Sequence, residues 1–374
     1  LIFCAGIGSG ANAEGNEELT EGPFRFGASY ISDNVNNLRG GIRSGHGYLG
    51  MVNFALGFDA GKAGLWEGGT FFINAVNTHG ATPSADMLGD RQVVSNIEAG
   101  DHTYLQELWY KQTLGNVELT LGLQDMNVEF ANSDNGAIFL NSSFGILPII
   151  SGNIAAPLFP LTSLGFTAKW NVRGNTAWLN AIYDGSPTDF DYNPHNLRWE
   201  FASGDGILAI SEIQQEIKIK SLPGTYKLGV FTHNHLVERN LRHSYPDSMN
   251  HSTFGVYAYA DQKILARGER SLDLFIHTGY SPSKTCSHDA YLGAGVSFYG
   301  WLSQAKDDIL GLAIAHVNFA EGIGRETAIE LTWQKQVHQN IFIQPDLQYV
   351  IKPSGGIQGL DNFLVAILRV GLSL

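Results

Sequence analysis

Four histidines, His233, His235, His243 and His251, crowd one stretch of the chain. In His233-Asn234-His235 two imidazoles two positions apart share one face of a strand, an arrangement that suits a divalent metal. No cysteine and no third ligand is fixed by the spacing, so the stretch reads as a solvated external loop, and neither metal nor cofactor is expected. At the start, Gly6-Ile7-Gly8-Ser9-Gly10-Ala11 follows an apolar run and fits the glycine fingerprint of a dinucleotide site. That reading needs a helix next, whereas Asn12-Ala13-Glu14-Gly15-Asn16 follows. The better reading is the tail of a secretory signal, with Ala11-Asn12-Ala13 as its cleavage site. Residues 1–13 are then a signal remnant and 14–374 a single exported domain. No G-x-S-x-G elbow gives a hydrolase its nucleophile.

Any such side chain must be held by strands. Apolar residues occupy every even position from Leu364 to Leu374, with Arg369, Gly371 and Ser373 between them. A period of two means that one face meets something greasy and the other something wet. Similar runs recur near 24–32, 47–59, 69–79, 104–112, 116–125, 164–171, 176–183 and 207–217. They continue near 224–233, 255–262, 271–280, 290–299, 309–317, 325–335, 339–350 and 363–374, sixteen in all. The gaps 60–68, 113–115, 172–175 and 336–338 are short, while 80–103, 126–163, 184–206 and 234–254 are long. Short turns at one end and long loops at the other mark an outer-membrane barrel. The alternation weakens at 318–324, which is short where a long loop is due.

Faces follow from parity. Leu228 and Val230, Leu274 and Ile276, Ile329 and Leu331, and Leu347 and Tyr349 should face lipid. Lys227, Asp273, His277, Glu330, Gln344, Asp346 and Gln348 should face a polar, water-filled lumen, where a β-sandwich would be apolar. Pro345 lacks an N–H and should mark a bulge or strand end.

Bulk composition agrees. Charged residues are 16% of the 374, glycines number 44, and mean hydropathy is −0.06. The longest charge-free stretch, 135–168, is broken by Pro148, Pro157 and Pro160, so no helical span is present. A formal net charge of −13 argues against nucleic acid or anionic lipid as a partner. Two cysteines, Cys4 and Cys286, make no disulfide framework.

Joined motifs sharpen this. Gly89-Asp90 leads to Ser95-Asn96-Ile97-Glu98-Ala99 and to Leu105-Gln106-Glu107-Leu108-Trp109-Tyr110-Lys111-Gln112. Gly122-Leu123-Gln124-Asp125-Met126-Asn127-Val128-Glu129-Phe130 follows, then Phe139-Leu140-Asn141-Ser142-Ser143-Phe144-Gly145 and Pro157-Leu158-Phe159-Pro160. Asp307-Asp308, Glu330-Leu331 and Gln344-Pro345-Asp346-Leu347-Gln348-Tyr349 extend the pattern. Over most of 24–374 the chain resembles the carbohydrate-selective outer-membrane porins of the OprB family. Leu374 stands where such barrels usually end in an aromatic, and Gln124 interrupts the family's usual Leu-Asp pair.

The resemblance implies an all-β transmembrane antiparallel barrel of about sixteen strands in a Gram-negative outer membrane. It implies passive diffusion of mono- or disaccharides through a polar eyelet, by monomers or homotrimers among outer-membrane lipid. The gap 126–163 has a charge-free, apolar later half that is unsuited to solvent. We expect it, as the third external loop, to fold into the lumen. Hydroxyl-matching groups would be Asp125, Asn127, Glu129 and Asn141, with Arg91, Glu98, Glu330 and Arg369 lining the pathway. Trp109 or Phe144 would meet the C–H face of a sugar ring. The alternatives are a general diffusion porin, a barrel-embedded outer-membrane enzyme and a soluble exported β protein.

Overall fold

The structure, a computed structural model, describes residues 22–199, 205–236, 250–282, 286–303, 308–356 and 359–374. The expected signal remnant and His243 lie outside these residues, as do the side chains of His235 and His251. The first eight strands are β1 (Phe24–Gly41), β2 (Gly45–Asp59), β3 (Gly69–Gly80), β4 (His102–Leu114), β5 (Val117–Gln124), β6 (Ser163–Arg173), β7 (Thr176–Asp184) and β8 (Ile207–Ile219). The second eight are β9 (Leu222–Leu236), β10 (Asn250–Arg267), β11 (Arg270–Tyr280), β12 (His288–Tyr299), β13 (Asp308–Phe319), β14 (Gly324–His338), β15 (Ile341–Ile351) and β16 (Asp361–Ser373). Each pairs antiparallel with its sequence neighbours, and β16 pairs with β1 to close the barrel. Closure leaves no strand edge unpaired, the condition for β structure in lipid.

The sequence supplies the outer face. Leu228, Val230, Ile276, Ile329, Leu331 and Leu347 are exposed, and the residues between them are buried on the inside, as parity predicted. Trp66, Phe71, Tyr110, Trp170 and Trp178 gather at the end that carries the short turns. Interfacial aromatics of this kind flank the apolar band of a membrane barrel. The connection 320–323 is short, so the loop-length alternation fails there as expected.

Three features differ from the sequence reading. β1 runs far past residue 32, because upper β1 (Asp33, Asn34, Asn36, Asn37) is polar on both faces and shows no period, and β10 runs past 262 to Arg267 through a register shift between Lys263 and Leu265. In β4 the pairing with β3 jumps from Asn74–Glu107 to Ala75–Leu105. The extra residue, Gln106, forms a bulge that buries Gln106 and Glu107 together. Pro345 makes neither bulge nor strand end. It pairs in register with Leu368 of β16, while the β14 ladder passes from Thr332–Asp346 to Lys335–Ile343 with no pair between.

The inner face is also less uniformly polar than parity suggested. Phe363, Val365 and Ile367 of β16, Phe275 of β11 and Tyr291 of β12 point inward and are buried. Residues 363–368 are apolar on both faces, so the greasy-and-wet division of the last strand applies only to its lower half.

Candidate functional site

The inner apolar patch is covered by the connection 125–162 between β5 and β6. Phe139 and Phe144 lie 5.0 Å apart, and their rings stand 5.4 and 5.8 Å from Phe275. Met126, Phe130, Leu147, Ile149 and Ile150 join the same cluster. The charge-free composition of this segment therefore reflects a buried contact.

Wall side chains from distant strands hold the segment by its backbone. Glu212 of β8 accepts the Ala131 N–H at 2.9 Å, and Asp261 of β10 accepts the Asp134 N–H at 3.0 Å. Glu330 of β14 accepts from Leu140 at 2.6 Å and Asn141 at 3.0 Å. Asn141 also donates its amide to Gln348 of β15 at 3.2 Å. Glu330 and Asn141, both fully buried, thus hold the connection to the wall. Asn127 is absorbed in the same way, donating to the carbonyls of Phe130, Ala131 and Gly145. Asp125 caps the turn through the Asn127 N–H at 2.9 Å and accepts from Gln106 and Phe159. Burial raises its pKa to about 6 despite those three donors.

Arg91 and Glu98 sit apart, on the connection 81–101 between β3 and β4. Arg91 is exposed, its guanidinium lies 5.8 Å from the Phe319 ring centre, and its backbone N–H donates to Glu326. Glu98 accepts the Ser84 N–H at 3.1 and 3.2 Å. Burial lifts its pKa to about 7, Ser84 and Ala85 pull it back, and Asp86 adds to the rise. Burial also raises Asp90, with Glu326 and Glu98 adding repulsion. A carboxyl whose folded value lies above its ordinary one stabilises the fold in acid and loses that contribution as pH rises. For Glu98 the window runs from about 4.5 to about 7. We expect Glu98→Gln to lose less stability than the parent between pH 5 and pH 8 in denaturant titrations. Equal losses would remove Glu98 as the source.

Arg369 is 2% exposed and meets none of the other candidates. Its Nε and an Nη donate to the two carboxylate oxygens of Asp33 at 2.7 and 2.8 Å, and the guanidinium also reaches Asn96 at 2.7 Å. It is a covered, neutralised cation, not the open wall charge its position in the strand suggested.

Trp109 and Glu129 do come together, on the inner face of β4 to β6. Trp109 stacks on Phe72 with centroids 4.9 Å apart and donates its indole N–H to Glu107 at 3.1 Å. Lys111 lies 5.5 Å from the Trp109 ring and pairs with Glu129 at 3.2 Å and Glu118 at 3.5 Å. Lys169 reaches Glu129 at 3.6 Å. Burial would raise the Glu129 pKa, but Lys111 and Lys169 outweigh it and hold the carboxylate low. These four charged side chains remain 17–28% exposed, so they are open to solvent while the Glu330 and Arg369 clusters are closed. Sequence reasoning missed Phe72, Lys111, Glu118 and Lys169 as site residues. Parity could have found the last two, because Glu118 and Lys169 face each other in register across β5 and β6.

A closed barrel with an apolar exterior, short turns at one end and charged side chains on its inner wall defines a porin-type outer-membrane channel. The chain belongs to the family described as carbohydrate-selective porin, OprB family, whose pattern it matches over residues 43–374. Its place is the Gram-negative outer membrane. OprB from Pseudomonas putida, in its high-pH structure, superposes with a TM-score of 0.84 at 20% identity, covering 95% of this chain and 94% of that one. The anion-selective porin of Comamonas acidovorans gives 0.59 at 9% identity, covering 94% of this chain and 99% of that one. The outer membrane channel DcaP of Acinetobacter baumannii gives 0.58 at 9%, covering 94% and 97%. Among curated proteins, none matches the sequence significantly.

Proposed function

We propose that this barrel passes small sugars passively, and that the open cluster around Trp109 is where it selects them. The observation that carries the reading is the Phe72–Trp109 stack beside Lys111, Glu129, Glu118 and Lys169. A flat aromatic face suits the C–H side of a sugar ring, and alternating cations and carboxylates suit its hydroxyls as donors and acceptors. Each contact is weak and partly hydrated, which permits release as well as entry. Deeper groups such as Glu330, Asn141 and Phe144 would act by holding the connection 125–162 across the lumen as the constriction. Asp125 and Asn127 support the same segment. The family's carbohydrate-selective character supports this over a general diffusion porin, and its channel fold supports a conduit over a wall-embedded enzyme. The proposed route lies within one barrel, so it serves a monomer or each copy of a trimer, with lipid against the exposed apolar rows.

Liposome swelling with a panel of mono- and disaccharides tests the proposal. Preference for one sugar size and stereochemistry is expected, and rates that follow molecular mass alone would favour the general porin. Trp109→Ala should weaken sugar block of single-channel current by roughly two- to tenfold, given ~0.5–1.5 kcal/mol for an aromatic contact beyond area burial. Unchanged block would move the sugar elsewhere. Deleting part of 135–155 should widen the pore and relax its preference; unaltered conductance would sink the constriction assignment.

A further inference from the structure

An acidic protein carries an unexpected arc of positive charge on its rim. Arg325 opens β14, Lys352 follows β15, Arg39 lies near the top of β1, and Arg43 stands between β1 and β2. These strands are consecutive around the barrel, β14-β15-β16-β1-β2, and all four side chains are exposed. They lie at the end of the long connections, which is the extracellular end. None makes an ion pair among the described residues. Among the described residues, Asp86, Asp289 and Asp361 are the surface acids beside the arc, fewer than its four exposed cations, while Glu326 and Asp90 lie buried behind it.

At one end of the arc is a rim cavity of about 320 Å³, lined by Arg325, Lys352, Asn318, Asp289 and Phe319 together with glycines of the adjoining turns. Asp289 carries an Oδ1 that is buried and has no hydrogen-bond partner among the described residues. Arg325 shares the outward parity of Ile329 and Leu331, and Leu347 and Leu368 continue the apolar wall across β15 and β16.

We propose that this cavity is a headgroup site for a phosphorylated glycolipid of the outer leaflet. Arg325 and Lys352 would take a phosphate, since guanidinium and ammonium both bind phosphate oxygens. A sugar hydroxyl would donate to the orphan Asp289 oxygen, and the acyl chains would lie along the Leu331–Leu347–Leu368 wall. The apolar wall directly below the cations argues for an amphiphile over a free anion. The net charge of −13 does not oppose this, because screening confines attraction to charges within about 8–10 Å.

The test measures binding of diphosphoryl lipid A to the detergent-solubilised barrel by native mass spectrometry. The comparison uses its fully dephosphorylated form, inorganic phosphate as competitor, and the R325Q/K352Q variant. The expected result is at least tenfold weaker binding on removing either the phosphates or the two cations, with no further loss when both are removed. Arg173→Gln, at the opposite rim, should bind as the parent does. Equal affinity for phosphorylated and dephosphorylated lipid overturns the proposal, and so does unaltered binding by R325Q/K352Q. Displacement of the lipid by sub-millimolar inorganic phosphate would assign the site to the free anion and overturn the lipid reading. If R325Q/K352Q loses heat-modifiable migration, the affinities of the two lipids for the parent barrel decide between these outcomes.

Discussion

Replacing Glu330 by Ala is expected to raise single-channel conductance and to erase discrimination among sugars. Its carboxyl oxygens accept two backbone N–H groups, Leu140 and Asn141, at a place that solvent does not reach. A hydrogen bond contributes about 0.5–1.5 kcal/mol net, and a buried donor left unpaired costs about 1–3 kcal/mol. Losing both weakens this attachment by roughly 3 kcal/mol or more, over a hundredfold in its opening equilibrium. Phe139 and Phe144 still pack on Phe275, and Asn141 still reaches Gln348, so the opening stays local and the barrel folds. Glu330→Gln keeps one acceptor oxygen and should fall between. Amide exchange across 138–144 reports the release directly, and conductance reports its consequence. If exchange quickens while conductance and sugar preference hold, the attachment is real but the segment is not the constriction. If neither moves, Glu330 does not hold it.

Much of this architecture was legible because membrane strands obey a strict parity. Sixteen runs, their loop lengths and the faces of β9, β11, β14 and β15 follow from alternation alone. Alternation fails where both faces have the same polarity. In upper β1 both are polar, so the strand appears to stop at residue 32. Residue 33 is the aspartate that neutralises Arg369 from 336 positions away. One further residue of β1, set in register against β16, would have revealed the pair, because Asp33 and Arg369 are direct partners. In upper β16 both faces are apolar, which hid the patch that receives the β5–β6 connection. The bulge at Gln106 leaves no trace in composition, yet it turns Glu107 inward to orient Trp109. Trp109 and Glu129 were recognisable as candidates because both stand in the joined motifs that carry the family resemblance, one as a flat aromatic and the other as a hydroxyl-matching carboxyl. Their meeting through Lys111 depends on the path of the connection, which no local pattern encodes.

Arg369→Ala is expected to act on the stability of the closed barrel, with little effect on ion selectivity. An open wall cation would shift selectivity toward cations when removed, but this side chain is 2% exposed and that of its partner Asp33 is 0% exposed. Taking away one member of a buried pair leaves the other charge without compensation, at a cost of about 3–5 kcal/mol. Among the described residues, Asp33 would retain only the Ser95 hydroxyl at 2.6 Å. The cost falls on the β1–β16 seam, since these residues stand opposite each other in that ladder. Replacing both, Asp33→Leu with Arg369→Met, should recover most of the loss, because no charge is then stranded. Urea titration of folded barrels in bilayers would show the single variant far less stable and the double variant close to the parent. Reversal potentials in a salt gradient should change little in both. A large shift in reversal potential with stability preserved would return Arg369 to the permeation path. Additive losses in the double variant would mean that the seam depends on packing at these positions and not on the pairing of charge.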